Sequence, residues 1–159
     1  MTQEQNHLTG SVHLVNKISD VICSRLAVVA MDAPLIDAAK LLTSTQIGLV
    51  VVCDADGKMM GVISKSDVVR QIAHCAGGGC QVAVADVMSR NVLSCSGTDG
   101  LANVLESLQT SGYVHLPVAD GDCKPVGVVN ARDALRFLML QEQYEESLLR
   151  NYVMGVGYQ

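Results

Sequence analysis

The stretch that decides the fold is Gly61-Val62-Ile63-Ser64-Lys65-Ser66-Asp67, which returns 66 residues later as Gly127-Val128-Val129-Asn130-Ala131-Arg132-Asp133. The same offset relates residues ahead of this stretch, such as Asp54 to Asp120. An internal repeat sets the architecture, because each copy contributes one supersecondary unit to a shared core. The chain therefore contains two similar halves, matched without a gap.

Each half is predicted to fold in the order strand, helix, strand, strand, helix. In the first half the apolar runs 26–30, 48–53 and 59–63 favour strands, and Asp32 is the predicted N-cap of the first helix. The second half has predicted strands at Leu93, 114–119 and 125–129, and a predicted cap at Thr98. The predicted inward side chains of the helices are Leu35, Ala38, Ala39, Leu42, Val68, Val69, Ile72, Leu101, Leu105 and Leu108.

One half alone cannot bury both faces of its sheet. We therefore predict an α+β fold in which the tandem repeats pack sheet to sheet about a pseudo-twofold axis. The predicted organisation is an N-terminal extension (1–17), a first repeat (18–73), a linker (74–83), a second repeat (84–140) and a C-terminal helical tail (141–159).

Composition limits the function classes. The chain is 49% hydrophobic and 17% charged, which is typical of a globular protein. With four Tyr, one Phe, no Trp and a net charge of −5, it lacks both the stacking platforms and the basic field of a nucleic-acid binder. No signal peptide or membrane-spanning run is visible, so the expected location is the cytoplasm, away from the membrane.

Six cysteines are present, and a cytoplasmic location argues against disulfides. Cys53 and Cys95 lie in or beside apolar runs and are predicted to be buried. Cys75 and Cys80 flank a glycine-rich stretch beside His74, which allows two interpretations, a metal or redox site or two thiols in a flexible linker. Their spacing is not a standard zinc spacing, and we predict no metal.

The repeated polar cluster also has two interpretations. Ser64 or Asn130, followed three residues later by Asp67 or Asp133, forms a capping box or a close relative of one. Alternatively, a helix N-terminus suits phosphate, a carboxylate there can accept both ribose hydroxyls, and neighbouring cations can bind phosphate. The strand glycines favour this second interpretation, because glycine inside a strand often marks close approach to the backbone.

Both halves resemble CBS domains, and together they resemble the pair known as a Bateman module. The resemblance covers roughly residues 18–140 and rests on the two Gly-apolar-apolar-[Ser/Asn]-x-x-Asp strings and on the strand 113–118. It implies binding of adenosine derivatives such as AMP, ADP, ATP, S-adenosylmethionine or NAD in clefts between the repeats.

The resemblance also implies residue roles. Asp67 and Asp133 would hold ribose, Ser64 would contact ribose or phosphate, and Asn130 would replace that hydroxyl residue in the second half. Val62 and Val128 would line the nucleoside, with Lys65, Ser66 and Arg132 also in the nucleotide-binding set. The adenine walls would be Ile22, Arg25, Ala27, Ile47 and Gly48 in the Asp133 cleft, and Met88, Asn91, Leu93, Tyr113 and Val114 in the Asp67 cleft.

His115 lies two residues before Pro117. Some relatives place a basic residue there that reaches phosphate, and the alternative is a partly exposed strand histidine without a special role. No nucleophile or paired acid stands at a recognisable spacing from it, so we predict no catalytic residue.

The expected function is a stand-alone regulatory module that binds an adenine nucleotide (AMP, ATP or NAD) as a regulatory ligand and signals to a partner protein in trans. We expect no enzyme activity, no catalytic cofactor and a homodimer. One alternative is a dimerisation or scaffold module with empty clefts, and a more remote one is a small nucleotide hydrolase.

Overall fold

A computed structural model describes residues 12–75 and 81–154. The first half comprises a 3-10 turn (Val15–Ile18), α1 (Ser19–Ser24), β1 (Val28–Ala30), α2 (Leu35–Leu42), β2 (Leu49–Cys53), β3 (Met59–Ser64) and α3 (Lys65–Cys75). The second half comprises α4 (Val84–Val87), α5 (Leu101–Ser111), β4 (His115–Ala119), β5 (Pro125–Asn130) and α6 (Ala131–Val153). The mixed α+β content and the repeated element order confirm the predicted fold class.

Each half has its own small sheet. In the first, β1 runs parallel to β2, and β2 pairs antiparallel with β3. In the second, β4 and β5 form an antiparallel pair. The predicted strand at Leu93 is wrong, because the chain turns where the Val92 N–H donates to the Arg90 carbonyl, and only Cys95 reaches the sheet, in a single parallel bridge to Val118.

The central strand β2 explains how the halves join. All five of its residues are buried, as its unbroken apolar sequence predicts for a strand covered on both faces. Val50 and Val52 pack in a cluster with side chains of α2 and α4, whereas Leu49, Val51 and Cys53 pack in a cluster with Val128 of the second half. This alternation places the two sheets face to face.

The strand glycines accommodate protein rather than a ligand. A Cβ at Gly127 would lie 2.7 Å from Ile22 Cγ1, and a Cβ at Gly61 would lie 2.7 Å from both Met88 Sδ and the Ser89 carbonyl oxygen. Each half thus packs its leading segment onto the last strand of the other half. The ligand-approach interpretation of these glycines is therefore replaced by one of close packing between the halves.

The helix starts differ from the predicted caps. The N-cap of α2 is Pro34 rather than Asp32, and the N-cap of α5 is Gly100 rather than Thr98. Backbone replaces the side-chain caps, because the first N–H of α2 donates to the Val82 carbonyl and that of α5 to the His13 carbonyl. Extended segments on the N-terminal side of each half therefore satisfy the helix ends.

Two predicted inward residues of α3 point outward. Val69 is 65% exposed and Ile72 is 59% exposed, whereas Val68 packs against the core of the first half. The apolar face of α3 is wider than the core it covers, so part of that face remains at the surface. Cys53 and Cys95 are buried, as predicted.

Candidate functional site

A cleft of about 600 Å³ opens where β3 ends and α3 begins. Its walls come from both halves, because the end of β3 faces the segment before α5 and the start of β4. The structure brings together eleven of the residues predicted from sequence, namely Gly48, Val62, Ser64, Lys65, Ser66, Asp67, Asn91, Leu93, Tyr113, Val114 and His115. We call this space the Asp67 cleft.

Asp67 is positioned by the first turn of its own helix. The Ser64 N–H and hydroxyl both donate to Asp67 Oδ2, at 2.8 and 3.0 Å, and the Asp67 N–H donates back to Ser64 Oγ at 3.3 Å. This reciprocal arrangement is the capping box that the sequence indicates. Among the described residues, the remaining oxygen, Oδ1, accepts only a 3.4 Å contact from Arg70, whose side chain is 77% exposed. The Asp67 side chain lines the cleft at 12% exposure, so Oδ1 can accept a hydrogen bond from a ligand hydroxyl there.

Two cationic side chains lie at the mouth of the Asp67 cleft. Lys65 and Arg70 project from the first turns of α3, and His115 borders the cleft from β4. The α3 N-terminus adds free backbone N–H groups and the positive end of the helix dipole. Carboxylate, cations and helix end together can hold a molecule that carries a sugar and an anionic group.

The equivalent position around Asp133 is arranged differently. Arg25 Nε donates to Asp133 Oδ2, and Arg25 Nη2 donates to Asp133 Oδ1 at 2.9 Å. Arg25 Nη1 also donates to the Gln46 carbonyl at 3.0 Å. The Asp133 side chain is only 10% exposed, and the Arg25 side chain 25%. The hydrogen bond to Asp133 raises the pKa of Arg25, with burial opposing it, so the guanidinium stays charged.

His115 stands between the two positions and is held as the neutral imidazole. Asn130 Oδ1 accepts the Arg132 N–H at 2.7 Å, which turns Asn130 Nδ2 toward His115 Nε2 at 3.1 Å. An amide nitrogen is only a donor, so His115 Nε2 must accept. Burial lowers the pKa of His115 further, as do the charges of Arg25 and Lys65, whereas Asp133 raises it.

Acid should therefore weaken the fold through His115. Its pKa in the folded chain lies below the ordinary value of 6.5, so the unfolded chain takes up the proton first. This contribution to stability is complete above pH 6.5 and is lost as pH falls below that value toward the folded pKa. We expect urea unfolding to show a larger loss of stability between pH 7.5 and pH 5.5 in the wild type than in His115→Leu.

Leucine is a matched replacement, because Leu49 occupies the corresponding place in the first half. The other three histidines are present in both proteins, so their contributions cancel in the comparison. Equal losses of stability in the two proteins would contradict the neutral assignment of His115.

Several predicted residues lie elsewhere. Gly48, expected on the Asp133 side, lines the Asp67 cleft, because the His115 ring lies against its backbone and would clash with a Cβ at that position. Met88 packs under Gly61 instead of lining the cleft, and Arg132 is exposed. Four further predicted residues are buried in the core, namely Ile22, Ala27, Ile47 and Val128.

Sequence reasoning missed part of the cleft wall. Arg70 lies one turn after Asp67, a helical spacing that could have revealed it. The other missed residues of the cleft wall belong to no recognisable binding motif, and they reach the cleft through the packing of the two halves. They are Leu49, Ser89, Val92, Gly112 and Pro117.

The cysteine pair is only partly described. Gln71 Nε2 donates to Cys75 Sγ at 3.2 Å, and Cys80 lies outside the described residues. Within residues 12–75 and 81–154, no group of three or more potential metal ligands comes together. Over the same residues, no helix has the length and apolar character needed to cross a bilayer.

Comparison with known sequences gives a consistent family. The sequence model of the CBS domain matches residues 18–74 and again 84–140. An uncharacterised 17.7 kDa protein of Acidianus ambivalens is 24% identical over 79% of this chain and 75% of its own length. Arabinose 5-phosphate isomerase GutQ of Escherichia coli is 28% identical over 81% of this chain. The chain spans only 41% of that isomerase, so the likeness concerns one part of the enzyme.

Solved structures agree on the fold. The CBS-domain protein ATU1752 of Agrobacterium tumefaciens has a TM-score of 0.69 at 25% identity, over 82% of this chain and 96% of the other. The CBS domain pair of MJ0100, in complex with 5′-methylthioadenosine and S-adenosyl-L-methionine, has a TM-score of 0.67 at 22% identity, over 80% and 96%. CBSX2 in complex with AMP has a TM-score of 0.66 at 22% identity, over 82% and 98%.

Proposed function

Since the chain belongs to the CBS domain family, we propose that it is a cytoplasmic regulatory module that binds an adenine nucleotide in the Asp67 cleft and signals to a partner protein. CBS domain pairs typically regulate rather than catalyse, and the enzyme names among the relatives belong to longer proteins. AMP, ATP and NAD are the proposed ligands. The partner is a separate protein that distinguishes the bound from the free chain.

The single observation that carries this proposal is the composition of the Asp67 cleft. A carboxylate with an available oxygen stands at a helix N-terminus, beside two cations and opposite the apolar wall of Tyr113 and Val114. The carboxylate suits the ribose hydroxyls, the helix N-terminus and the two cations suit phosphate, and the apolar wall suits adenine. Solved structures of the same fold contain AMP, or 5′-methylthioadenosine with S-adenosyl-L-methionine, which supports the ligand class.

Thermal-shift titration tests the proposal with AMP, ATP, NAD, S-adenosylmethionine and GMP as probes. A ligand that binds only the folded state adds about 2.7 kcal/mol to the free energy of unfolding at a hundredfold excess over Kd. The melting temperature rises as a result. We expect at least one adenine compound to raise it more than GMP does. No shift at millimolar concentration would favour the scaffold alternative, and turnover of ATP or NAD would favour the hydrolase.

We also propose that the chain forms a homodimer through α3 and α6. Val69 on α3 and Leu135 on α6 are related by the repeat and are 65% and 48% exposed, and Met139 extends the same apolar surface at 51%. Exposed apolar surface on two helices related by the repeat suits a second copy of the chain, because an isologous contact buries the same patch twice.

The double variant Val69→Glu/Leu135→Glu should convert the dimer to a monomer in sedimentation velocity, because it places like charges in an apolar contact. Ile36→Glu is the matched control, since Ile36 is 53% exposed on α2. A wild-type monomer at 100 µM, chosen as roughly the range in which weak dimers form, would contradict the proposed dimer.

A further inference from the structure

We propose that Arg25 latches the second nucleotide position by occupying the carboxylate of Asp133, so that each chain binds one nucleotide, in the Asp67 cleft. This inference rests on the proposed function and adds to it a stoichiometry and the residue that sets it. The two halves are related by sequence, yet their two carboxylates have different partners. That difference is the basis of the inference.

Asn91 is the residue of the second half that corresponds to Arg25. It lines the Asp67 cleft, and among the described residues it makes no hydrogen bond to Asp67. Arg25, in contrast, places two donors on Asp133. The exchange of one neutral amide for one guanidinium thus leaves one carboxylate available and engages the other.

The geometry of the Arg25 contact makes it hard to displace. The two parallel N–H donors satisfy both oxygens of Asp133, which is the strongest arrangement available to a carboxylate. The third nitrogen is held by the Gln46 carbonyl, so the guanidinium is anchored from two sides. Ribose hydroxyls are neutral donors and would have to replace a charged, mostly buried partner of Asp133. We expect AMP to bind there at least about 100-fold more weakly than in the Asp67 cleft.

The Arg25–Asp133 pair also influences His115, which borders the Asp67 cleft. After burial, the charges of Arg25 and Lys65 lower the pKa of His115, whereas the charge of Asp133 raises it. His115 also contacts Asn130, the cap of the helix that carries Asp133. Separating Arg25 from Asp133 would therefore change the surroundings of His115, which borders the Asp67 cleft. The Asp67 cleft and the Asp133 position thus have His115 as a common neighbour.

Isothermal titration with AMP tests the latch on the full chain. The wild type should bind one equivalent, and Arg25→Asn, which copies the residue of the other half, should bind two. Adding Asp133→Asn to Arg25→Asn should return the stoichiometry to one, because the uncovered carboxylate is then lost. Arg150→Asn is the matched control, since Arg150 is 70% exposed near the end of α6 and should leave one equivalent.

Arg25→Lys provides a second variant should Arg25→Asn fold poorly, as judged by circular dichroism. Lysine keeps the charge and loses the two-pronged contact, so a weak second site should become measurable. A single site in folded Arg25→Asn and Arg25→Lys, or two sites in the wild type, would overturn the latch and leave the proposed function standing. Absence of binding by AMP, ATP and NAD in every protein would overturn the proposed function and the latch together.

Discussion

Asp67→Asn is expected to weaken AMP binding by about 30- to 100-fold. The carboxylate is proposed to accept hydrogen bonds from the ribose hydroxyls, and a hydrogen bond to a charged group contributes about 1.5–3 kcal/mol. Asparagine keeps one acceptor oxygen and turns an NH₂ donor toward a donor hydroxyl. At about 1.4 kcal/mol per tenfold change, the loss of one such bond and the weakening of another account for the expected range.

Isothermal titration measures this change, with Asp56→Asn as the matched control. Asp56 lies exposed in the turn between β2 and β3 and carries the same substitution away from the cleft. Because Asp67 also closes the capping box with Ser64, the melting temperature of each protein is recorded alongside its affinity. Wild-type affinity in folded Asp67→Asn would remove Asp67 from the proposed site.

Gly127→Ala is expected to lower the free energy of unfolding by about 2–3 kcal/mol. The added methyl group would lie 2.7 Å from Ile22 Cγ1 and 2.9 Å from the Ile22 carbonyl carbon. The side chain can rotate away, but the backbone can move only if α1 shifts on β5. Overpacking of this kind typically costs about 1–3 kcal/mol, and the backbone contact places this site in the upper part of that range.

Urea unfolding checks the expectation against Gly121→Ala. A Cβ at Gly121 meets nothing within 4 Å, so alanine there should leave the midpoint unchanged or raise it slightly. Because Ile22 belongs to the first half and Gly127 to the second, the difference between the variants measures how strongly the halves depend on each other. Equal midpoints for Gly127→Ala and Gly121→Ala would contradict this packing.

The repeat predicted most of the fold because its signals are local. The unbroken apolar run of β2 specifies a strand covered on both faces. The turns at Asp54 and Asp120 form alike, since each Asp Oδ1 accepts the N–H groups two and four residues later. Residues 12–17 lie outside the gap-free match, so their packing is predicted only from their apolar side chains, and Val15 is fully buried.

Other features depend on contacts that no local pattern encodes. Arg25 and Asp133 are 108 residues apart, and only the packing of α1 on the second half brings them together. The sequence predicts that a ligand approaches the backbone at Gly61 and Gly127, whereas the structure has protein side chains there. A strand glycine indicates close approach to the backbone in either case, so the sequence does not distinguish protein from ligand. Helical periodicity predicts Val69 and Ile72 on the inward face of α3, but both side chains are exposed. The packing of the helix on the sheet, which periodicity does not encode, determines how much of that face is covered.

The most direct test of a nucleotide site in the Asp67 cleft is a crystal structure of the chain grown with AMP. We expect one AMP per chain, with its ribose hydroxyls in hydrogen-bond contact with Asp67, its phosphate near Lys65 and the α3 N-terminus, and the Arg25–Asp133 pair intact. AMP bound at Asp133 with the Asp67 cleft empty, or an unliganded chain at a millimolar AMP concentration, would contradict the account.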